Sequence, residues 1–312
     1  MKKPLFILVG PTAVGKTEIS IKLAKVFKSE IISADSMLVY KYMDIGTAKP
    51  TPKEMDGVRH HLIDVVNPDE EFSVALFREK AVKHIDDLIS SNKLPIVAGG
   101  TGLYINSLTY ALDFTETISD WDYRNSLLDM AKEKGNAYVH NMLKAVDIDS
   151  FNRLHENDLK RIIRALEVYK YTGKTITEVQ IGSRKKAIDY DLCMIGLISD
   201  RQKLYEKINK RVDIMLEKGL VNEVKSLLDM GYTKDLTSMQ GLGYKEIISF
   251  LEGEYSFEEA VYRLKQSTRH FAKRQLTWFR REERIHWVNV DEYEDTDSIV
   301  QNIAHHVAGK LS

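Results

Sequence analysis

The chain has 312 residues, 43% hydrophobic and 29% charged, a globular balance that excludes a disordered protein and suffices for one large α/β core with a smaller domain. Its formal net charge is -1, so attraction to nucleic acid must come from local patches and not from the overall field. A single cysteine, Cys193, excludes an internal disulfide framework and a cysteine-cluster zinc site, and its apolar setting predicts a buried, inert thiol.

The apolar run Leu5 to Val9 is too short for the core of a signal peptide. No apolar stretch reaches the length that spans a bilayer. The expectation is a soluble cytoplasmic protein with no membrane partner.

Leu5 to Val9 instead predicts a buried parallel strand, followed by a helix on which Ile19, Leu23, Val26 and Phe27 recur at helical spacing. Glu30 to Ala34 predicts a second strand. Phe72 to Ile89 predicts an amphipathic helix, and Pro95 to Ala98 a third strand. The strand signal resumes at Leu192 to Ile198 and ends at His286 to Val290. Strands alternating with helices imply a parallel sheet covered on both faces. Residues 113–187 lack a strand signal. Their clearest element opens at Asn157 or Asp158, with Ile162, Ala165, Leu166 and Tyr169 on one face and Lys160, Arg161 and Arg164 elsewhere. This predicts a helical insert, closed by a loop over Gly182 to Lys186. The catalytic core is then 1–112 with 188–312, and everything from Arg201 onward is mostly helical.

The octapeptide Gly10-Pro11-Thr12-Ala13-Val14-Gly15-Lys16-Thr17 matches the phosphate-loop pattern, and it lies between a strand and a helix, as its mechanism requires. Glycines 10 and 15 let the backbone wrap an anion. The amides of Ala13 to Thr17 sit at a helix N-terminus, where the dipole favours negative charge. Lys16 adds a mobile positive charge, and the Thr17 hydroxyl can ligate Mg²⁺. Proteins that hydrolyse ATP at such a loop usually hold the metal with an acid ending a second apolar strand. Here Pro95 to Thr101 ends in glycine and threonine, and Leu62-Ile63-Asp64 is a thin match. Phosphate binding in a transfer reaction fits better.

Asp35-Ser36 follows the second strand at the carboxyl edge of the sheet, where doubly wound proteins bind ligands. A general base and a turn-forming Asx residue are equally open for Asp35. Gly99-Gly-Thr-Gly-Leu-Tyr104 closes the third strand, with Thr101 at the same edge. Adjacent His60 and His61 do not share a helix face and have no third ligand at zinc-like spacing, so satisfied structural histidines are expected. Between Tyr262 and Arg284, eight Lys or Arg face two acids, and Arg269, Lys273 and Arg280 share one helical face while Leu264, Phe271 and Trp278 are placed to pack inward. Such a stripe fits a nucleic-acid backbone.

These blocks, with Met43-Asp-Ile-Gly-Thr-Ala-Lys-Pro50, Gly57-Val-Arg-His-His-Leu-Ile-Asp64, Asn157 to Val168, Gln240-Gly-Leu-Gly-Tyr244 and Thr268 to Arg280, resemble the bacterial tRNA dimethylallyltransferases, in family order from residue 10 to 280. The resemblance implies a P-loop NTPase-like core, a nucleotide-binding class of loop, that grips the pyrophosphate of dimethylallyl pyrophosphate. It implies Asp35 as acceptor of the adenine N6 proton, Thr101 beside the reacting centre, and Lys16, Arg211 and Mg²⁺ on the leaving group. It implies tRNA contacts from Asp35, Ser36, Met37, Leu38, Thr101, Arg124, Lys160, Arg161, Arg164, Gln240, Gly241, Arg269, Lys273, Arg274 and Arg280, and a monomer. Leu38 stands where several members carry Gln. A small-molecule kinase, a prenyltransferase acting on free AMP, and a non-enzymatic RNA-binding protein are the competing classes. The first would require ATP, the second would not need the insert, and the third leaves Lys16 and Asp35 without a role.

Overall fold

The computed structural model describes residues 2–110, 120–185 and 189–311. Two compact units emerge, Met1–Thr109 with Asp189–Ser312, and Tyr110–Ile188. The expected ends of the insert, Asp113 and Ala187, lie outside the described residues.

The first unit is built on β1 (Lys3–Val9), β2 (Ile31–Ser33), β3 (His60–His61), β4 (Ile96–Gly99), β5 (Tyr190–Ile198) and β6 (Ile285–Asn289). They form one parallel sheet in the order β3-β2-β4-β1-β5-β6. The centre is β1, whose residues Leu5 to Val9 are fully buried. Its apolar run is continuous because both faces are covered. Phe6 and Leu8 pack towards α1 (Lys16–Val26), while Leu5, Ile7 and Val9 pack on the opposite face. The edge strand β3 was not foreseen. Two residues carry too little periodicity to register.

Between β2 and β4 run α2 (Pro52–Met55) and α3 (Val74–Ser90), and α4 (Gly102–Thr109) follows β4 directly. The second unit holds α5 (Trp121–Lys134), α6 (Asn136–Val146), α7 (Ile148–Arg153), α8 (Leu159–Thr172) and α9 (Ile176–Lys185). After β5 come α10 (Arg201–Glu217), α11 (Leu220–Asp229), α12 (Tyr244–Leu251) and α13 (Phe257–Phe279), and α14 (Thr296–Lys310) follows β6.

In the second unit, Leu127, Ala131, Val139, Leu143, Ile162, Ala165 and Leu166 make a separate core. The loop expected over Gly182 to Lys186 is helical through Lys185, and Lys186 lies outside the described residues. A capping box starts that helix: Thr175 N–H donates to Glu178 at 2.8 Å and Glu178 N–H to Thr175 Oγ1 at 3.1 Å. One interior glycine costs only about 1 kcal/mol, too little to end a helix so nucleated.

Glu167 of α8 is 1% exposed and takes paired hydrogen bonds from Arg124 Nε at 2.8 Å and Nη2 at 2.9 Å, another from Arg164, and the Asp120 N–H at 3.0 Å. Burial opposes its ionisation, but these donors prevail and hold the carboxyl below its ordinary range. Truncating a buried charge partner strands the opposing charges, at about 3–5 kcal/mol. Glu167→Ala should therefore destabilise the second unit by about 3 kcal/mol in urea unfolding. A depressed carboxylate stabilises above its unfolded pKa and loses that contribution as pH falls through its folded value, so the wild-type advantage should vanish in acid. A variant as stable as wild type at neutral pH would remove Glu167 from this role.

Candidate active site

The phosphate loop leaves β1 at Gly10 and enters α1 through Gly15, a left-handed N-cap with φ 104° and no side-chain cap bond. The first-turn amides of α1 are thereby left for an anion. Ala13 also sits at φ 66°, a conformation that costs a non-glycine residue roughly 1 kcal/mol and that clusters at ligand-binding loops. Val14 is buried in the α1-side core and anchors the loop.

Lys16 Nζ folds back onto the carbonyls of Gly10 at 2.9 Å and Pro11 at 2.7 Å. Burial pulls its pKa down to about 7, a shift that Arg211 reinforces and the Asp35 carboxylate opposes. Arg211 arrives from α10, its Nη1 within 3.5 Å of Thr12 Oγ1, and burial lowers its pKa while Glu54 opposes. Two cations thus meet with little negative charge between them, an arrangement suited to an entering polyanion.

Lys16, Thr17, Arg211 and Asp35 line one cavity of about 330 Å³. Ser36, Met37, Leu38 and Gly241 share its wall. Asp35 Oδ1 accepts the Met37 N–H at 2.9 Å, so the Asx turn exists. Its Oδ2 takes no hydrogen bond among the described residues. The turn and the acceptor role are compatible. Thr101 stands directly behind this wall, where its Oγ1 accepts the Ser36 N–H at 3.0 Å. Its own N–H donates to Ala34 O at 3.1 Å.

Several contributors escaped sequence reading. Gln275 of α13, 6% exposed, accepts the Thr12 N–H at 2.8 Å and donates to Gly100 O at 3.0 Å. A polar residue on an inward helical position was the available signal. The wall segment Gly46 to Pro50 is held by Glu223 of α11, whose carboxylate accepts the amides of Asp44, Ile45 and Gly46 at 2.9, 2.7 and 3.0 Å and the Tyr244 hydroxyl at 2.7 Å. Lys49, with its side chain 6% exposed, closes the segment through Asp44, Asp64 and the Tyr40 carbonyl. Asp64, the thin candidate for a metal-binding acid, is thereby committed to Lys49. The histidines are satisfied as expected: His61 lies 2.7 Å from Glu30 with its ring 4.2 Å from that of His84 at a tilt of 32°, and His60 Nδ1 donates to Val58 O at 2.9 Å.

The basic residues divide sharply. Lys273 and Arg274 on α13 and Arg280 at its C-cap are exposed with no ion pair among the described residues, whereas Arg269 is half-buried and bonded to Asn209 at 2.7 Å. Trp278, expected inside, is 39% exposed and lies across Gly102. A strict seven-residue spacing from Leu264 drifts about 20° per step on a straight helix, and the buried face instead runs through Ala272, Gln275 and Phe279. On the insert, Arg124 and Arg164 are occupied by Glu167, and Arg161 pairs with Asp158 at 3.0 Å, leaving Lys160 exposed. Gln240 is exposed and bonded to Lys234 O at 2.5 Å, away from the cavity, while Gly241 lines it where a Cβ would meet Met37 at 2.4 Å.

A phosphate loop at the end of the central strand β1, with an acid at the end of β2 across the intervening β4, defines a P-loop α/β protein whose cavity opens at the carboxyl edge of the sheet. A family model described as IPP transferase matches residues 38–282, and the chain belongs to that family. The tRNA dimethylallyltransferases of Acetivibrio thermocellus and Alkaliphilus oremlandii are each 56% identical to it, over 304 and 307 residues, covering 97% of this chain in both cases and 97% and 96% of theirs. The crystal structure of the tRNA isopentenylpyrophosphate transferase of Bacillus halodurans superposes with a TM-score of 0.75 at 43% identity, covering 99% of this chain and 97% of that one. A eukaryotic dimethylallyltransferase acting on tRNA gives 0.81 at 30% identity, covering 96% and 78%.

The depressed Lys16 has a measurable consequence. Free Lys16 loses its proton as pH rises through about 7, and a bound diphosphate should restore it. Calorimetric titration of pyrophosphate near pH 8, in buffers of different ionisation enthalpy, should show wild type taking up close to one proton more than Lys16→Met. Near pH 6 the difference should fade. Equal uptake by both proteins at each pH would place Lys16 outside the anion site.

Proposed function

We propose that the chain transfers the dimethylallyl group of dimethylallyl pyrophosphate to N6 of the adenosine 3′-adjacent to the anticodon of tRNA, giving N6-isopentenyladenosine. The observation that carries this reading is one cavity with two chemistries: a cationic diphosphate cradle and a carboxylate with a free oxygen.

In the reaction, the bond from the allylic carbon to the diphosphate oxygen breaks and a bond to N6 forms. N6 gives up its proton and diphosphate departs. The N6 lone pair is delocalised into the ring, so Asp35 assists by accepting the N–H hydrogen bond and then the proton. Lys16, Arg211 and the first-turn amides of α1 stabilise the negative charge that grows on the leaving group while the allylic carbon turns cationic. Thr101 keeps Asp35 in place through Ser36. A divalent cation, proposed to be Mg²⁺, would be held by the Thr17 hydroxyl and the donor's own oxygens, and would neutralise part of the leaving group's charge. The donor set fits a cation that arrives with its diphosphate: Thr17 is exposed at the cavity, and no group of three or more His, Cys, Asp or Glu able to hold a metal occurs among the described residues.

On the RNA side, the exposed cations Lys273, Arg274 and Arg280 suit phosphate contacts, and Lys160 and Arg161 of the insert, residues 113–187, supply a further basic surface. The adenine must leave its stack to reach Asp35, and unpaired loop bases flip at least expense. No helix among the described residues is long and apolar enough to cross a membrane. We take the protein to act as a cytoplasmic monomer.

Asp35→Asn keeps the shape but cannot take a proton, and a general base is worth about 10²–10⁴ in rate. Its single-turnover transfer to tRNA should fall by that order with both substrates still bound. A rate within a few-fold of wild type would leave Asp35 as a turn residue. Separately, replacing Lys273, Arg274 and Arg280 by Ala should weaken tRNA binding without changing donor binding. The slope of log affinity against log salt should drop by about 0.7–0.9 for each lost phosphate contact. An unchanged slope would mean that these cations face only solvent.

A further inference from the structure

The two halves of the reaction are handled by loops on different strand ends. The phosphate loop follows β1, and Gly99-Gly-Thr-Gly102, whose Thr101 braces the Asp35 turn, follows β4. Beyond the sheet the two are bridged by one buried side-chain amide from a third element. Gln275 of α13 uses its Oε1 to accept the Thr12 N–H at 2.8 Å and its Nε2 to donate to Gly100 O at 3.0 Å. The fit is tight. A Cβ at Gly100 would lie 2.2 Å from Gln275 Nε2, and one turn further along α13, a Cβ at Gly102 would lie 2.2 Å from Trp278 Cδ1. Two of the glycines in the β4 loop are therefore seats for α13 side chains. The same helix exposes Lys273 and Arg274 on either side of its buried face.

A side-chain amide is uncharged and offers an acceptor oxygen and a donor nitrogen side by side, which matches one N–H and one carbonyl. Apolar residues would fill the volume and leave the Thr12 N–H and the Gly100 carbonyl unpaired. A charged residue would answer one partner and repel the other or the incoming diphosphate.

We propose that Gln275 is a positioning residue that sets the spacing between the diphosphate loop and the acceptor-side loop, so that donor carbon and acceptor nitrogen meet at reacting distance. Gln275 rests on the assignment of the two loops to donor and acceptor, but adds a role that neither loop performs alone. Displacement of one reacting partner by about 1 Å can cost on the order of 10²-fold in rate without loss of binding. The expected signature is a defect in the chemical step.

The test uses the full-length protein with dimethylallyl pyrophosphate, Mg²⁺ and unmodified tRNA in single-turnover assays. Gln275→Met removes both hydrogen bonds at nearly constant volume. Gly100→Ala attacks the same contact from the other side while Gln275 stays, and it decides the matter should the first variant fold poorly. Each is expected to slow transfer about 10- to 100-fold at saturation, with half-saturation for donor and tRNA within about threefold of wild type. Because both lesions break one contact, the double variant should be no slower than the worse single one. Full rates in both variants, or losses explained entirely by weaker binding of one substrate, would overturn the positioning role. Lys16→Ala, run alongside, separates the two levels. If it too transfers normally, the assignment of the loops fails. If it is inactive while both Gln275 and Gly100 variants are normal, only the role of Gln275 fails.

Discussion

Everything at the site depends on three parallel strands ending at the same level. Val9 pairs with Gly99 and Ser33 with Ala98, so β1, β4 and β2 release their chains side by side at one edge of the sheet. The seam continues past the last strand pair: Ala34 N–H donates to Ala98 O at 2.9 Å, and Thr101 N–H to Ala34 O at 3.1 Å. Gly99 is indispensable there, since a Cβ would fall 2.2 Å from Ala34 O. A slip of one residue in either pairing would invert the side chains of a strand buried on both faces and withdraw Asp35 or the phosphate loop from the shared cavity.

A second layer of order comes from buried polar groups that hold irregular backbone. Glu223 gathers three consecutive amides, Lys49 ties two acids and a carbonyl, and Gln275 joins two loops. None of these segments could be stabilised by helix or strand hydrogen bonds, and unpaired buried amides would each be costly. The site is therefore expected to be rigid in its walls and electrostatically unbalanced in its cradle, where the half-buried Lys16 and Arg211 face the cavity. An anion bound there would relieve that imbalance, and its affinity would then depend on pH.

Legibility followed the range of the interactions. β1, α1 and the phosphate loop were plain in the sequence because a continuous apolar run, a glycine pattern and a helical period are local. Asp35 was placed at the correct edge by the same local signals. The roles of Glu223, Lys49 and Gln275 were not visible, since each depends on partners far along the chain. The same blindness made Arg164 read as part of a basic patch, although Glu167 on α8 holds it together with Arg124. Trp278 was misplaced because a seven-residue spacing falls short of two full turns of an α-helix and leaves the buried face that runs through Ala272, Gln275 and Phe279. Thr101 lay at the predicted strand end, but which way its hydroxyl turned was decided by Ser36.

The most direct measurement is chemical. Unmodified tRNA incubated with the protein, dimethylallyl pyrophosphate and Mg²⁺, then digested to nucleosides and weighed, should yield adenosine heavier by one dimethylallyl unit at the position 3′ to the anticodon, with ATP unable to replace the donor. Unaltered nucleosides, together with turnover of ATP by the same preparation, would contradict a prenyl-transfer site and turn the cradle into a nucleotide site.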